Sequence, residues 1–166
     1  ENNERLNIVG DLHGQLQDLL HILDEAGLPS AQNRFIFNGD FVDRGSNGVE
    51  VVCILLALFL AHPGYVYLNR GNHEDFPICC AYGFQQEVYH KYDELTFGMF
   101  CELFRHLPLF ALINKAVLVL HGGLFHSKVT LSELDEIKRC DFSLRNVSEP
   151  LMREGKEPQS EKDERL

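Results

Sequence analysis

Four short apolar segments of this chain each run directly into a cluster of glycines and polar side chains. The clusters are GDLHG (10–14), GDFVDRG (39–45), RGNHE (70–74) and HGG (121–123). Helical patterns separate the first three segments, so the order is strand, helix, strand, helix, strand. This alternation predicts an α/β layered sheet whose strands are buried on both faces. Since ligands bind at the carboxyl ends of such strands, we expect the four clusters to converge on one crevice.

The remaining elements follow from local patterns. Strands are predicted at 6–10, 34–38 and 65–68, and helices at 16–26, 48–61 and 79–106, the last with a break near 93–96. Two apolar runs, 109–113 and 116–120, flank the turn-prone pair Asn114-Lys115 and predict a hairpin. Thr130 and Glu133 have the spacing of a capping box, which predicts a short helix ending near Arg139.

The end of the sequence differs in composition from the rest. Residues 149–166 carry many charges and no aromatic side chain. We therefore predict one domain over 1–140, followed by a charged, disordered tail over 141–166.

Charge and cysteine content exclude some classes of function. The net charge of -10 disfavours binding to nucleic acid or to an anionic membrane surface, and the apolar run 49–61 is too short to span a bilayer. A phosphorylated substrate stays allowed, because a metal site can outweigh the global charge.

Five cysteines without a CxxC pair indicate reduced thiols, and we expect a cytoplasmic protein that also occurs in the nucleus.

The polar residues in the four clusters are of types that bind transition metals. Carboxylates, imidazoles and an amide oxygen favour Mn, Fe or Zn over Ca, which prefers oxygen ligands alone. Two metals about 3.5–4 Å apart could clamp a phosphate and generate hydroxide between them. Asp40, at the end of the central strand, is the natural bridge between two such metals.

With these four motifs, the chain resembles the phosphoprotein phosphatases, the metal-dependent serine/threonine phosphatases that include calcineurin. The likeness extends from about Ile8 to Phe125, roughly the amino-terminal half of such a catalytic domain. It implies part of a calcineurin-like α/β/β/α sandwich. FNGDFVDRG and LNRGNHEDF look most like the branch of this family that bears EF-hands.

The resemblance implies a role for each matching position. The first metal would be held by Asp11, His13 and Asp40, and the second by Asp40, Asn72 and His121. His73 would protonate the leaving alkoxide, Asp43 would orient His73, and Arg44 would bind phosphate oxygens. Tyr82 would lie beside the cleft. Glu74 could anchor the site from behind or act as a charge at a helix N-terminus.

The implied reaction is hydrolysis of phosphoserine or phosphothreonine in proteins, by direct attack of a hydroxide that bridges the two metals. Two alternatives stay open on the sequence alone. One is a small-molecule phosphoesterase, such as a dinucleoside polyphosphate hydrolase, and the other is a catalytically inactive interaction module.

The family pattern continues into a second half that supplies another metal-binding histidine, a second phosphate-binding arginine and a further histidine. After His121 this chain has one histidine, His126. The chain is therefore a fragment, a truncated product or a member with a long insertion, and we expect the 166 residues alone to be inactive. The sequence has no EF-hand loop, so regulatory subunits or calcium-sensor segments would lie outside it.

Overall fold

The computed structural model describes residues 4–123 and 125–141. The strands are β1 (Arg5–Val9), β2 (Asn33–Phe37), β3 (Val66–Leu68), β4 (Phe110–Ile113) and β5 (Val117–Leu120). The helices are α1 (Leu16–Ala26), α2 (Gly48–Ala61), α3 (Phe76–Tyr82), α4 (Phe84–Lys91), α5 (Glu94–His106) and α6 (Leu131–Asp135). A 3-10 turn follows at Arg139–Asp141. The predicted alternation of strand and helix is confirmed. The predicted tail lies outside the described residues, apart from Asp141.

The strands form two sheets. In the first, β2 lies between β1 and β3, and all three strands are parallel. The second sheet is the antiparallel hairpin of β4 and β5. Its turn places Asn114 at φ 49° and Lys115 at φ 57°, and positive φ at both central residues is the mark of a type I′ turn. The hairpin predicted around this pair is confirmed.

The hydrophobic core lies on one face of the parallel sheet. Side chains at alternate strand positions point to the same face, and here Val9, Phe35 and Phe37 point toward the helices. Leu19 of α1 and Leu55 of α2 pack in the same cluster, and both are almost fully buried. This layer of helices holds the strands in a fixed order, so their carboxyl ends lie side by side.

The prediction that the strands are buried on both faces is wrong for the described residues. On the face opposite the helices, the residues Leu6, Ile8 and Tyr67 are 38%, 51% and 43% exposed. Ile36 is buried on that face because its sheet neighbours, Ile8 and Tyr67, flank it on both sides. A cavity of about 550 Å³ opens there and extends to the hairpin. The physical reason is that the helical core packs on the other face alone.

The long helical region begins earlier and is more divided than its pattern predicts. It begins at Phe76, where the side chain of Asp75 accepts a hydrogen bond from the backbone N–H of Phe76. The predicted break near 93–96 is confirmed, because Asp93 caps α5 by accepting from the Thr96 N–H at 2.8 Å. A second break, which the pattern does not show, occurs at Gly83, whose φ of 118° ends α3.

The helix predicted to reach Arg139 ends at Asp135 instead. The capping box of Thr130 and Glu133 that opens it is present as predicted. After Asp135 the chain turns toward α5, where the Arg139 side chain donates a hydrogen bond to the His106 carbonyl at 2.9 Å. These tertiary contacts compete with continuation of the helix. In the described part of the chain, no helix has the length and apolar character needed to cross a bilayer.

Candidate metal centre

The loops after β1 and β2 are joined by backbone hydrogen bonds. The Asp40 carbonyl accepts from the N–H groups of Leu12 and His13, both at 2.9 Å, and the Phe41 carbonyl accepts from Gly14 at 2.8 Å. These bonds run from loop to loop rather than within one loop, so each fixes the position of the other. The convergence that strand order predicts is therefore built into the backbone.

Glu74 joins the loop after β3 to the same assembly. It is fully buried, and one carboxylate oxygen accepts from the N–H groups of Asp40 (2.7 Å) and Gly71 (2.8 Å). The other oxygen accepts from the N–H of Phe41 at 2.7 Å. Burial raises the pKa of Glu74 to about 7, while the backbone donors act to lower it. Of the two roles that the sequence leaves open for Glu74, the structure shows the anchor.

Glycine allows the two loops to come this close. Gly39 has φ 89°, and a β-carbon at this position would overlap the backbone nitrogen of Gly71. Any larger residue at Gly39 would push the two loops apart, and Asp40 with them.

Four of the proposed functional residues hold strained backbone conformations. His13, Asp40, Asp43 and Arg44 have φ values of 43°, 55°, 68° and 65°. Residues other than glycine rarely adopt positive φ, and such strain concentrates at functional sites, where surrounding contacts enforce it. Here the bonds between loops and the Glu74 carboxylate are those contacts.

Two groups of ligand-type atoms lie in the crevice, and Asp40 belongs to both. Asp40, His13 and His73 form one group, and Asp40, Asp11 and His121 form the other, with all ligand atoms of each within 4.8 Å of one another. The two oxygens of Asp40 face different rings: Oδ2 lies 3.7 Å from Nε2 of His13, and Oδ1 lies 3.4 Å from Nε2 of His121. This is the position that a bridging ligand requires.

The hydrogen bonds of the two imidazoles fit a cation between these groups. Nδ1 of His13 lies 2.8 Å from the Val42 carbonyl, which can only accept, so this nitrogen carries a proton and Nε2 of the neutral ring presents a lone pair. That Nε2 is buried and has no hydrogen-bond partner among the described residues. It faces Asp11 at 3.8 Å and Asp40, so negative charge and a lone pair point at one another. A metal ion bound between them would remove that conflict.

His121 repeats this arrangement. Its Nδ1 lies 2.6 Å from the Asn38 carbonyl, so this nitrogen carries a proton and Nε2 of the neutral ring again presents a lone pair. This Nε2 faces Asp40 and the Asn72 side-chain oxygen at 3.1 Å. The oxygen and nitrogen donors assigned to the second metal therefore share one small volume.

His73 differs from the other two rings, because its Nδ1 bonds a carboxylate rather than a carbonyl. Asp43 Oδ2 lies 2.7 Å away, and the other oxygen of Asp43 accepts from the Phe84 N–H at 2.8 Å. Burial raises the pKa of Asp43, and the hydrogen bond with His73 opposes that shift. Nε2 of His73 lies 3.5 Å from Nη2 of Arg44 and 4.0 Å from Asp40.

Tyr82 lies where the resemblance implies, at the edge of this crevice. Its ring packs edge-on against His73 with centroids 5.1 Å apart, and 53% of the residue is exposed. The Tyr82 carbonyl accepts from the backbone N–H of Arg44 at 3.2 Å. This bond connects the end of α3 to the strained loop.

The sequence analysis missed two asparagines that attach the hairpin to the parallel sheet. The side chain of Asn69 donates to Asn38 Oδ1 at 2.8 Å and to the Val119 carbonyl at 3.3 Å. The side chain of Asn38 donates to the Leu120 carbonyl at 3.1 Å. Both asparagines immediately follow apolar strands, β2 and β3, and that shared position was the available signal.

Comparisons with known proteins agree with this geometry. A family model described as calcineurin-like phosphoesterase matches residues 5–165. Serine/threonine-protein phosphatase rdgC of Drosophila melanogaster is 46% identical over 142 residues, which are 84% of this chain and 21% of that protein. Human serine/threonine-protein phosphatase 5 is 47% identical over 137 residues, which are 82% of this chain and 28% of that protein.

Other relatives extend the comparison. Serine/threonine-protein phosphatase with EF-hands 1 of Rattus norvegicus is 44% identical over 82% of this chain and 22% of its own length. Because this identity is close to that of phosphatase 5, the EF-hand branch stays a prediction. The chain thus spans 21%, 28% and 22% of these three relatives.

Solved structures show the same fold. A serine/threonine phosphatase from Saccharomyces cerevisiae with similarity to human PP5 superposes with a TM-score of 0.81 at 41% identity. The match covers 83% of this chain and 44% of the yeast chain. Taken with the family match over residues 5–165, it shows that the chain belongs to the calcineurin-like phosphoesterase family.

Proposed function

We propose that this chain forms part of a serine/threonine protein phosphatase that hydrolyses phosphate monoesters on phosphoproteins. One observation carries the proposal. The Nε2 atom of His73 lies 4.0 Å from Asp40 and 3.5 Å from Arg44, so a proton donor meets a metal ligand and an anion-binding cation. The relatives named above are serine/threonine phosphatases, which supports this choice over a small-molecule phosphoesterase.

Membership of the family implies divalent metal ions at this crevice. Asp11, His13 and Asp40 would hold one ion, and Asp40, Asn72 and His121 would hold the other. The mixture of nitrogen and oxygen donors suits Mn, Fe or Zn. When bound, the ions would supply Lewis-acid activation of the phosphate and of the attacking water.

His73 faces the same crevice but is assigned a different task. Its Nδ1 is committed to Asp43 at 2.7 Å, and this carboxylate supplies the counter-charge for a ring that also carries a proton on Nε2. From Nε2 the proton would pass to the departing serine or threonine oxygen, which leaves as a neutral alcohol. Asp43 is buried and fixed by the Phe84 N–H, so the ring keeps its orientation during the transfer.

Arg44 would bind the phosphate group. Its planar guanidinium can donate two parallel hydrogen bonds to phosphate oxygens. The strained φ of 65° turns this side chain toward the crevice beside His73. Tyr82 would cover the other edge of His73 and limit access of water to it.

The substrate would be a phosphoserine or phosphothreonine residue of another protein. Regulatory subunits and calcium-sensor segments would lie outside this chain. The relatives described above are several times longer than the segment that matches this chain, which leaves room for such segments.

A substrate comparison tests this function. The whole phosphatase that contains this chain is dialysed against Mn²⁺, its bound metal is measured by elemental analysis, and turnover is measured with a phosphoserine peptide and with a dinucleoside polyphosphate. We expect bound metal and faster hydrolysis of the peptide. His73→Gln should retain metal and lose about 10²-fold or more in turnover of the peptide, since it removes the acid alone. Faster hydrolysis of the dinucleotide would overturn the proposal.

A further inference from the structure

A second cluster of reactive side chains shares no residue with the metal centre. It lies where the turn Arg139–Asp141 packs against the carboxyl end of α5, and it comprises Cys140, His106 and Glu102. Cys140 Sγ lies 3.3 Å from Nδ1 of His106. Nε2 of the same ring lies 3.1 Å from Oε1 of Glu102. A thiol, an imidazole and a carboxylate therefore follow one another in hydrogen-bond contact.

The order of these groups decides where the protons lie. The carboxylate of Glu102 can only accept a hydrogen bond, so Nε2 of His106 carries a proton and donates a hydrogen bond to Glu102. In the neutral ring the other nitrogen, Nδ1, then presents its lone pair to the thiol of Cys140. A nucleophile, a base and a group that orients the base form the arrangement that activates thiols and hydroxyls in covalent catalysis.

Two arginines hold the cluster together across 35 residues of sequence. Arg105 Nε donates to the Cys140 carbonyl at 2.8 Å, and Arg105 Nη1 donates to Glu102 at 3.0 Å. Arg139 Nε donates to the His106 carbonyl at 2.9 Å. The turn is thereby fixed to the helix on both sides of the thiol, and each guanidinium group bonds a residue of the cluster. The side chains of His106 and Glu102 are 59% and 58% exposed, so a dissolved reagent can reach the cluster.

The other four cysteines have environments that suppress reactivity. Cys79 is buried and donates to the His73 carbonyl. Burial raises the pKa of Cys80, and raises the pKa of Cys101 to about 12. Cys53 is exposed, but desolvation and the nearby charge of Glu50 raise the pKa of its thiol. Among the described residues, Cys140 is the cysteine whose sulfur contacts an imidazole base.

We propose that Cys140 is a modification site that undergoes thiol–disulfide exchange with a small anionic disulfide. His106 takes the thiol proton on Nδ1, and the sulfur attacks one sulfur of the reagent. A new S–S bond forms to Cys140 as the reagent's own S–S bond breaks. The leaving thiolate takes the proton from His106, so Cys140 is oxidised to a mixed disulfide and half of the reagent is reduced to a thiol. Arg105 and Arg139 favour a reagent that carries carboxylates. This site is independent of the phosphatase proposal.

The five cysteines make the test internally controlled. The intact protein is treated with oxidised glutathione, and the modification of each cysteine is followed by peptide mass spectrometry. We expect Cys140 to react about tenfold or more faster than Cys53, because a described imidazole base contacts the sulfur of Cys140. His106→Gln should lower the rate at Cys140 to that of Cys53, and Glu102→Gln should lower it less. The ratio of the rate with glutathione disulfide to the rate with neutral 2-hydroxyethyl disulfide should be larger at Cys140 than at Cys53.

Two results would overturn the proposal: a rate at Cys140 no greater than that at Cys53, or a rate unaffected by His106→Gln. Cys79 reports the integrity of the fold, since it stays unmodified while it is buried. If His106→Gln exposes Cys79, the comparison of Cys140 with Cys53 in the unsubstituted protein still decides the question.

Discussion

The two halves of the candidate metal centre are supported very differently. His13 lies in a loop that shares backbone hydrogen bonds with its neighbour, and Glu74 anchors that neighbour from within the core. His121 lies at the end of a separate two-stranded sheet, which reaches the parallel sheet through Asn38 and Asn69. The first half belongs to the core of the fold, whereas the second half depends on docking of the hairpin.

Asp40 is the point at which the two halves meet, so its substitution should have the largest effect. Asp40→Asn keeps the shape but replaces one anionic oxygen with an amide nitrogen that cannot bind a metal. We expect loss of metal from both halves and a fall in turnover of about 10³-fold, equal to about 4 kcal/mol.

Elemental analysis of the whole phosphatase after dialysis against Mn²⁺ checks the first part of this expectation, and its turnover of a phosphopeptide checks the second. Asp18→Asn, an exposed acid on α1, is the matched control. Full metal content in Asp40→Asn would show that Asp40 does not bridge the two halves.

Glu74 tests the support of the first half. The backbone N–H groups of Asp40, Phe41 and Gly71 donate to the buried Glu74 carboxylate. In Glu74→Gln, the NH₂ group of the new amide would face at least one of these donors and could not accept its hydrogen bond. We expect a loss of about 2–3 kcal/mol in the free energy of unfolding, because a buried donor is left without an acceptor.

Urea denaturation followed by circular dichroism measures this loss. Glu25→Gln, an exposed residue of α1, should leave the midpoint unchanged. An equal midpoint for Glu74→Gln would mean that the loops hold without this anchor.

Asn69 tests the support of the second half. Asn69→Ala removes the donor to Asn38 and to the Val119 carbonyl, so the hairpin and His121 lose their fixed position. Groups that position a metal ligand typically contribute about 10–100-fold to metal affinity, and we expect a loss of this size for one of the two ions.

A calorimetric titration with Mn²⁺ gives a separate affinity for each of the two ions. The affinity of the more tightly bound ion should be the same in Asn69→Ala as in the unsubstituted protein. Asn7→Ala is the matched control, because Asn7 donates a comparable hydrogen bond to Asn33 at the start of β2. Equal weakening of both ions would contradict the division into two halves.

The smallest expected effect is at the hairpin turn. Lys115 adopts φ 57°, which is costly for a residue with a β-carbon and natural for glycine. Lys115→Gly should therefore stabilise the hairpin by about 0.5 kcal/mol, since Asn-Gly is the preferred pair for this turn.

Amide hydrogen exchange of β4 and β5 would detect that gain, whereas exchange in β1 and β2 should stay the same. Faster exchange in the hairpin of Lys115→Gly would show that the Lys115 side chain contributes more than its backbone conformation costs.

Much of the fold was readable from the sequence because local patterns determine it. The run 48–61 is apolar nearly all round, and α2 has those bounds. The strand ends were readable because glycines and polar residues interrupt short apolar runs. The break at Gly83 and the early end of α6 were not readable. Both depend on neighbours that are distant in sequence, such as the His106 carbonyl that binds Arg139.

The sequence pattern alone indicated which residue types form the candidate site and after which strands they occur. Carboxylates, imidazoles and an amide follow the three parallel strands, which bring their carboxyl ends to one edge, whereas His121 follows a strand of the separate hairpin. This local rule is enough to predict a crevice and its chemistry before any tertiary contact is known.

Only the tertiary structure decided how those groups are oriented. The ring nitrogens that face the crevice are set by the carbonyls of Val42 and Asn38, which lie 29 and 83 residues from the histidines they bind. The contact between Cys140 and His106 likewise joins residues 34 positions apart. Hydrogen bonds depend on distance and angle in space, and a sequence pattern with a period of two or 3.6 residues carries no such information.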